Sequence, residues 1–205
     1  MKLKTVTLKW IFFSTLCLFL ISFTQAQVIS SNTYIRTCLN KIECSSISNS
    51  STLFYDENKA GFYLLLDFNN FKTGEDSLDD WLKDLTETSL YYKVSFPPEN
   101  FLGLSNNKQK NFTLNGQTYL NGIWKNQSIE LSLYSSENSV TSATNIGNKY
   151  DNYKVNFSLS IVPKDFNIHK KAHHLKETIF IGIAMGRINQ LKAEDLDLLG
   201  EAYNH

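Results

Sequence analysis

Residues 112–133, FTLNGQTYLNGIWKNQSIELSL, constrain the fold of this chain more than any other segment. Gly116 and Gly122 interrupt the segment six positions apart, and apolar residues then alternate with polar ones from Ile129 to Leu133. Strict alternation places every second side chain on one face, as in a half-buried strand. Glycines inside strands mark bulges, bends or tight turns. The segment therefore predicts a sheet that curls round on itself.

Two other segments, residues 61–68 and 155–161, show the same alternation. Their apolar positions and those after Gly122 are the candidate inner face: Phe62, Leu64, Leu66, Phe68, Ile129, Leu131, Leu133, Val155, Phe157, Leu159 and Ile161. Residues 177–185 are apolar on both faces, which predicts a central strand. Many strands at short spacing predict an all-β, antiparallel barrel or sandwich. A short helix is expected at residues 76–85, and residues 193–203 are expected to form either a short acidic helix or a loose tail.

The first 26 residues have the pattern of a secretory signal peptide. Lys2, Lys4 and Lys9 precede an apolar run over residues 11–23, and the segment ends in Thr24-Gln25-Ala26, a small-x-small cleavage pattern. The run is short for a membrane span. We therefore expect cleavage near Ala26 and a periplasmic or extracellular mature chain without a membrane span; an uncleaved N-terminal anchor is the alternative.

The composition of the mature chain excludes one large class of partner. Without the three leader lysines, 17 basic residues stand against 20 acidic ones. Both signs are mixed along the chain, and basic patches of the kind that bind nucleic acid are absent from the sequence. The length suits one domain with a sizeable core.

Two cysteines, Cys38 and Cys44, follow the leader. An oxidising compartment favours a disulfide between them across a short hairpin, and two independent thiols are the alternative. Neither a second cysteine pair nor a nearby histidine completes a metal site with them. His169, His173 and His174 lie among lysines, which favours a solvated loop over a metal site. No metal and no cofactor are predicted.

Catalytic groups are not recognisable in the sequence. It contains no G-x-S-x-G motif, and the candidate carboxylates Asp67, Asp79 and Asp165 each have a structural use at a strand end, a helix start or a turn. We expect the chain not to be an enzyme. Trp81 is expected in the core, whereas Trp124 could seal the core or close a barrel mouth.

Several segments, in order, resemble the motifs of the YceI-like family of exported barrels. Residues 62–74, FYLLLDFNNFKTG, resemble the family's apolar strand and "SFxTG" turn, and residues 79–83, DDWLK, resemble its "DxHL" helix start. Residues 91–96, YYKVSF, resemble "YPxIxF". Gly116, Leu120, Gly122, Ile123 and Lys125 match "YxVxGxLTIxGVxK". Residues 163–168, PKDFNI, resemble "PxDYNI".

The resemblance implies an antiparallel, lipocalin-like β-barrel over residues 53–188. A polar segment at 27–52 would precede the barrel and a tail at 189–205 would follow it. Because the family's long opening pair of strands has only this polar segment as a counterpart, we expect an open side or a shortened first hairpin. Trp81 replaces the family's helix histidine, so no role of that histidine is carried over.

Members of the family are associated with binding polyisoprenoid lipids, so the resemblance implies an apolar lipid partner such as a polyisoprenoid. The candidate inner face would then line the ligand site. Alternation alone is equally compatible with side chains that fill the interior. The alternative function is a ligand-free exported domain that binds a protein or glycan through its polar segments at 30–51 and 135–152.

Overall fold

The computed structural model describes residues 31–36, 45–68, 89–104, 108–135, 149–150, 152–168 and 178–204. Within these ranges the chain forms nine strands: β1 Ser31–Arg36, β2 Ser45–Asp56, β3 Gly61–Asp67, β4 Ser89–Ser95, β5 Gln109–Leu120, β6 Ile123–Ser135, β7 Tyr153–Ile161, β8 Ile179–Arg187 and β9 Asn189–Gln190. Helical segments are short: 3-10 turns at Pro98–Phe101, Pro163–Phe166 and Ala193–Asp195, and helices α1 Leu196–Leu199 and α2 Glu201–Asn204.

Strands β1 to β8 form a complete ring of antiparallel pairings. Each strand pairs with the next along the chain, and β8 pairs back with β1. The predicted antiparallel, lipocalin-like barrel is therefore confirmed. The ring is thinnest between β4 and β5, which are joined only from Tyr91 opposite Tyr119 to Lys93 opposite Gln117.

The first hairpin is present, and its first strand is short. Beyond the start of β1, strand β9 takes the free edge of β2 and pairs with Phe54 and Tyr55. The sheet thus begins at Ser31, earlier than the boundary at residue 53 that the sequence indicates. Hydroxyl groups explain why so polar a segment enters the wall, since buried Thr33 and Ser51 hydrogen-bond each other.

The two glycines of residues 112–133 have different uses. Gly122 forms the tight β5–β6 turn with Asn121, and φ is 77° at Gly122 and 50° at Asn121, as a two-residue hairpin requires. Gly116 lies inside β5, where a Cβ atom would stand 2.4 Å from the carbonyl oxygen of Lys93. The absence of a Cβ atom at Gly116 therefore permits a close approach between β4 and β5.

Strand β8 lies between β7 and β1, as expected for a central strand. Its outer face is partly open to solvent, however: Phe180, which lies on that face, is 48% exposed. The barrel buries only its inner face here, which the apolar composition of both faces does not reveal. A register shift in β7–β8 leaves Met185 with a φ of 51°, and its N–H donates to Asn156 Oδ1 at 2.7 Å.

The C-terminal segment packs on the outside of the barrel. Leu199 in α1 is buried against Phe54 and Tyr63, which point outward from β2 and β3. Tyr203 in α2 donates a hydrogen bond to Asp56 Oδ2 at 2.8 Å. Of the short helix and the loose tail that the sequence allows here, the chain forms short helical segments, and they cover an apolar patch of the outer wall.

Candidate functional site in the barrel interior

All the predicted lining residues belong to one buried core, and none is more than 4% exposed. Phe68 directly follows β3, and the others come from β3, β6 and β7: Phe62, Leu64, Leu66, Ile129, Leu131, Leu133, Val155, Phe157, Leu159 and Ile161. The pairing register brings them together, since Leu131 lies opposite Phe157 and Leu133 lies opposite Val155. Their place on the inner wall is thus established, and their contact with a ligand stays a prediction.

The alternating pattern does not mark several other residues of the inner wall. They are Leu53, Tyr55, Leu90, Tyr92, Leu120, Ile179, Ile181 and Ile183, all buried in the same core. In β8 the isoleucines alternate with Phe180, Gly182 and Ala184, so the apolar outer positions hide the period of two. In β4 an outward tyrosine, Tyr91, precedes the inward Tyr92 and hides the alternation in the same way.

Aromatic side chains fill one end of the interior, where the β2–β3 turn lies. This aromatic end consists of Tyr55, Phe62, Phe96, Phe101, Phe112, Tyr150 and Tyr153. The ring of Tyr55 has its centroid 5.0 Å from that of Phe101 and 4.8 Å from that of Tyr150, both near edge-on. Such edge-to-face packing adds about 0.5–1.5 kcal/mol per pair beyond burial. This end is therefore a rigid, occupied part of the barrel.

The hydroxyl groups of the aromatic end are tied to fixed acceptors. Tyr55 donates to the carbonyl oxygen of Phe96 at 2.8 Å, and Tyr150 donates to Glu57 Oε1 at 2.7 Å. Burial raises the pKa of Tyr55 to about 12, with smaller contributions from Glu57, Glu99 and Asp56. Burial also raises the pKa of Tyr150, and its hydrogen bond to Glu57 adds to the effect.

Tyr55→Phe tests the hydrogen bond from the Tyr55 hydroxyl to the carbonyl oxygen of Phe96. We expect a loss of about 1–3 kcal/mol in the free energy of unfolding at pH 8, because the buried Phe96 carbonyl loses its donor. The unfolded tyrosine ionises near its usual pKa of 10.0 and the folded one near about 12. Its contribution is therefore present below pH 10 and is lost as the pH rises to 12. Urea unfolding at pH 8 and pH 11 checks both effects. An unchanged stability at pH 8 would contradict the account.

The other half of the interior, toward the β5–β6 turn, is mainly aliphatic. Among the residues described, Leu66, Leu90, Leu120, Ile161 and Ile179 project into it from five different strands. Because aliphatic chains adapt to a flexible apolar ligand and interlocked rings do not, this aliphatic half is the better place for a ligand.

A small polar cluster interrupts the apolar wall between the two halves. Buried Thr118 donates to Gln127 Oε1 at 2.9 Å, and the Tyr92 hydroxyl donates to the Gln127 carbonyl oxygen at 3.2 Å. Gln127 Nε2 in turn donates to the carbonyl oxygen of Ser160. Burial raises the pKa of Tyr92, so its hydroxyl stays neutral. These hydrogen bonds connect β4, β5, β6 and β7 close to the short β4–β5 pairing.

The remaining candidate residues fall outside the interior or outside the described ranges. Trp124 packs against Tyr119 on the outer wall, with ring centroids 5.0 Å apart, so it closes no barrel mouth. Asp165 is exposed in a 3-10 turn and Asp67 ends β3. The predicted disulfide of Cys38 and Cys44, the helix with Asp79 and Trp81, and the histidines at 169, 173 and 174 lie outside the described residues.

Several solved structures are similar in fold to this barrel. A polyisoprenoid-binding domain from Saccharophagus degradans, implicated in plant cell wall breakdown, has a TM-score of 0.56 at 13% identity over 75% of this chain and 90% of that one. Burkholderia cenocepacia BcnA has a TM-score of 0.50 at 13% identity over 75% and 93%. The Campylobacter jejuni YCEI protein has a TM-score of 0.40 at 13% identity over 70% and 81%.

The first two likenesses, both at 13% identity, show the fold of this chain and nothing beyond it. No family model and no curated protein sequence matches the chain. None of the helices in the described part of the chain is long and apolar enough to cross a membrane.

Proposed function

We propose that this chain is an exported binding protein, and not an enzyme, that holds an apolar lipid of the isoprenoid type inside its barrel. The observation that carries the proposal is the largely apolar inner wall, to which every residue of the candidate inner face contributes. The fold is shared with a polyisoprenoid-binding domain, which supports the same ligand class. The leader pattern of residues 1–26 supports export.

The energetics of such a ligand need few polar contacts. Each CH₂ group that leaves water contributes about 0.8 kcal/mol, so a few isoprene units would offset the cost of association. Specificity would then come from the shape and length of the apolar space. Branched, flexible isoprenoid chains suit a wall of leucine and isoleucine side chains.

The aromatic end sets the direction of the ligand. Because interlocked rings occupy that end, the apolar tail would extend into the aliphatic half and stop near the Tyr92–Phe157 pair, whose centroids are 5.5 Å apart. The polar end of the ligand would lie toward the β5–β6 turn, in contact with water. A barrel closed at one end limits the length of chain that it covers.

A chain-length series tests the proposal. Mature protein extracted with organic solvent and refolded is titrated with isoprenoid alcohols of increasing length, and with a fatty acid as a second apolar class. We expect affinity to rise with each added isoprene unit and then to level off once the aliphatic half is full. Protein that binds neither class, with an interior filled by its own side chains, would contradict the proposal and favour the ligand-free interaction domain.

A further inference from the structure

A polar cleft opens on the outer wall where β4 and β5 separate. The β4–β5 ladder ends where Lys93 lies opposite Gln117. Beyond this point a cavity of about 320 Å³ is lined by Lys59, Gly61, Tyr63, Lys93, Val94, Ser95, Asn115, Gly116 and Gln117. A second cavity of about 400 Å³ shares Asn115–Gln117 and adds Asn126, Gln127 and Ser128. Volumes of this size suit small ligands.

The cleft carries positive charge that no acidic lining residue balances. Lys59 and Lys93 contribute two ammonium groups, and neither forms an ion pair with a carboxylate among the residues described. Each is held against a ring instead, with Lys93 Nζ 4.3 Å from the centroid of Trp124 and Lys59 Nζ 3.5 Å from that of Tyr203. Lys59 Nζ also donates to the carbonyl oxygen of Tyr203 at 2.7 Å.

The two ammonium groups act on each other. Partial burial lowers the pKa of Lys93, and the charge of Lys59 lowers it further. A bound anion would relieve both effects, because an opposite charge stabilises the charged form of a lysine. The cleft is thus electrostatically complementary to an anion.

Carboxamide groups supply further donors beside the lysines. Ser128 donates to Asn115 Oδ1, and Gln117 Nε2 donates to Asn126 Oδ1 at 3.2 Å. Both asparagines therefore use their oxygen within the wall and keep the Nδ2 hydrogens for another acceptor. Two cations and these amide donors match a group with several acceptor oxygens.

We propose that this outer-wall cleft binds a phosphate group, through Lys59 and Lys93 with the neighbouring asparagine amides. The group is that of inorganic phosphate or of a lipid headgroup, since the chemistry of recognition is the same for both. The site lies outside the barrel and is separate from the interior that would hold the apolar lipid.

The test compares the mature chain with the double variant Lys59→Gln/Lys93→Gln. Binding of inorganic phosphate is measured by titration calorimetry. Binding of phosphatidylcholine vesicles that contain phosphatidic acid is measured by co-sedimentation. We expect the double variant to bind at least about tenfold more weakly than the parent in one of the two assays. The matched control, Lys108→Gln/Lys164→Gln, removes the same net charge from exposed positions and is expected to bind as the parent does.

Each outcome decides the proposal. If Lys59→Gln/Lys93→Gln loses phosphate binding and keeps vesicle binding, the site is one for free phosphate. If it loses vesicle binding and keeps phosphate binding, the site is one for a lipid headgroup. An equal loss in both double variants would reduce the effect to net charge and overturn the proposal. Failure of the parent to bind either probe would also overturn it. Lys93→Arg keeps the charge and is expected to retain binding, which separates charge from any change in folding. Apolar lipid uptake, measured on the same variants, is expected to stay unchanged.

Discussion

Leu159→Trp is expected to reduce uptake of an isoprenoid by the delipidated protein at least about tenfold, because the added ring fills space that the ligand needs. Leu159 points into the barrel from β7, is 1% exposed, and lies opposite Ile181 of β8. Overpacking of a core costs about 1–3 kcal/mol, so we expect a folded barrel with reduced stability. Uptake of a fluorescent isoprenoid and the far-ultraviolet circular dichroism spectrum measure the two effects.

The matched control is Ser158→Trp, one position earlier on the same strand. Ser158 points outward, is exposed, and lies opposite Gly182 and Glu130. The same ring on the outer wall is expected to leave uptake within about twofold of the parent. Folded Leu159→Trp protein that takes up the isoprenoid as well as the control would contradict a ligand site in the interior.

Gly116→Ala is expected to lower the free energy of unfolding by about 3 kcal/mol or more, which is the upper end of the range seen when a core is overpacked. The new Cβ atom would lie 2.4 Å from the carbonyl oxygen of Lys93 and 2.4 Å from the hydroxyl oxygen of Tyr92. A backbone carbonyl cannot rotate away as a flexible side chain can. The substitution would therefore push β5 from β4, where only three residue pairs join them. Urea unfolding gives the change in free energy.

Gly122→Ala provides the comparison within the same hairpin. Gly122 has a φ of 77°, and an added Cβ atom would meet no other atom within 4 Å. The left-handed conformation alone costs about 1–2 kcal/mol for a residue with a side chain. We therefore expect a clearly smaller loss than for Gly116→Ala. Equal losses would contradict the close approach of β4 and β5 as the reason for glycine at position 116.

Alternation made most of the inner wall predictable, because strands with one buried face repeat with a period of two. The turn at Gly122 was predictable for a similar reason, since few residues adopt its backbone conformation. The wall formed by β1 and the start of β2 was not predictable from hydrophobicity. Its buried inward positions include Ser31, Thr33 and Ser51, which are satisfied by hydrogen bonds and carry no apolar signal.

The aromatic end shows a second limit of periodicity. Phe101 lies in the 3-10 turn after β4 and Tyr150 lies in the turn before β7, yet both pack into the interior. Residues in connections follow no repeat, so their contribution to a core depends on where the chain places them. The extent to which the interior is filled therefore cannot be read from the strands alone.

The central claim is that the barrel interior holds one apolar lipid, and native mass spectrometry of the mature protein, purified without detergent, tests it most directly. The account predicts a species heavier than the polypeptide by the mass of one lipid, which organic solvent removes and an added isoprenoid restores. For Leu159→Trp we expect the polypeptide mass alone. A parent protein found only at the polypeptide mass, before and after addition of isoprenoid, would contradict the account.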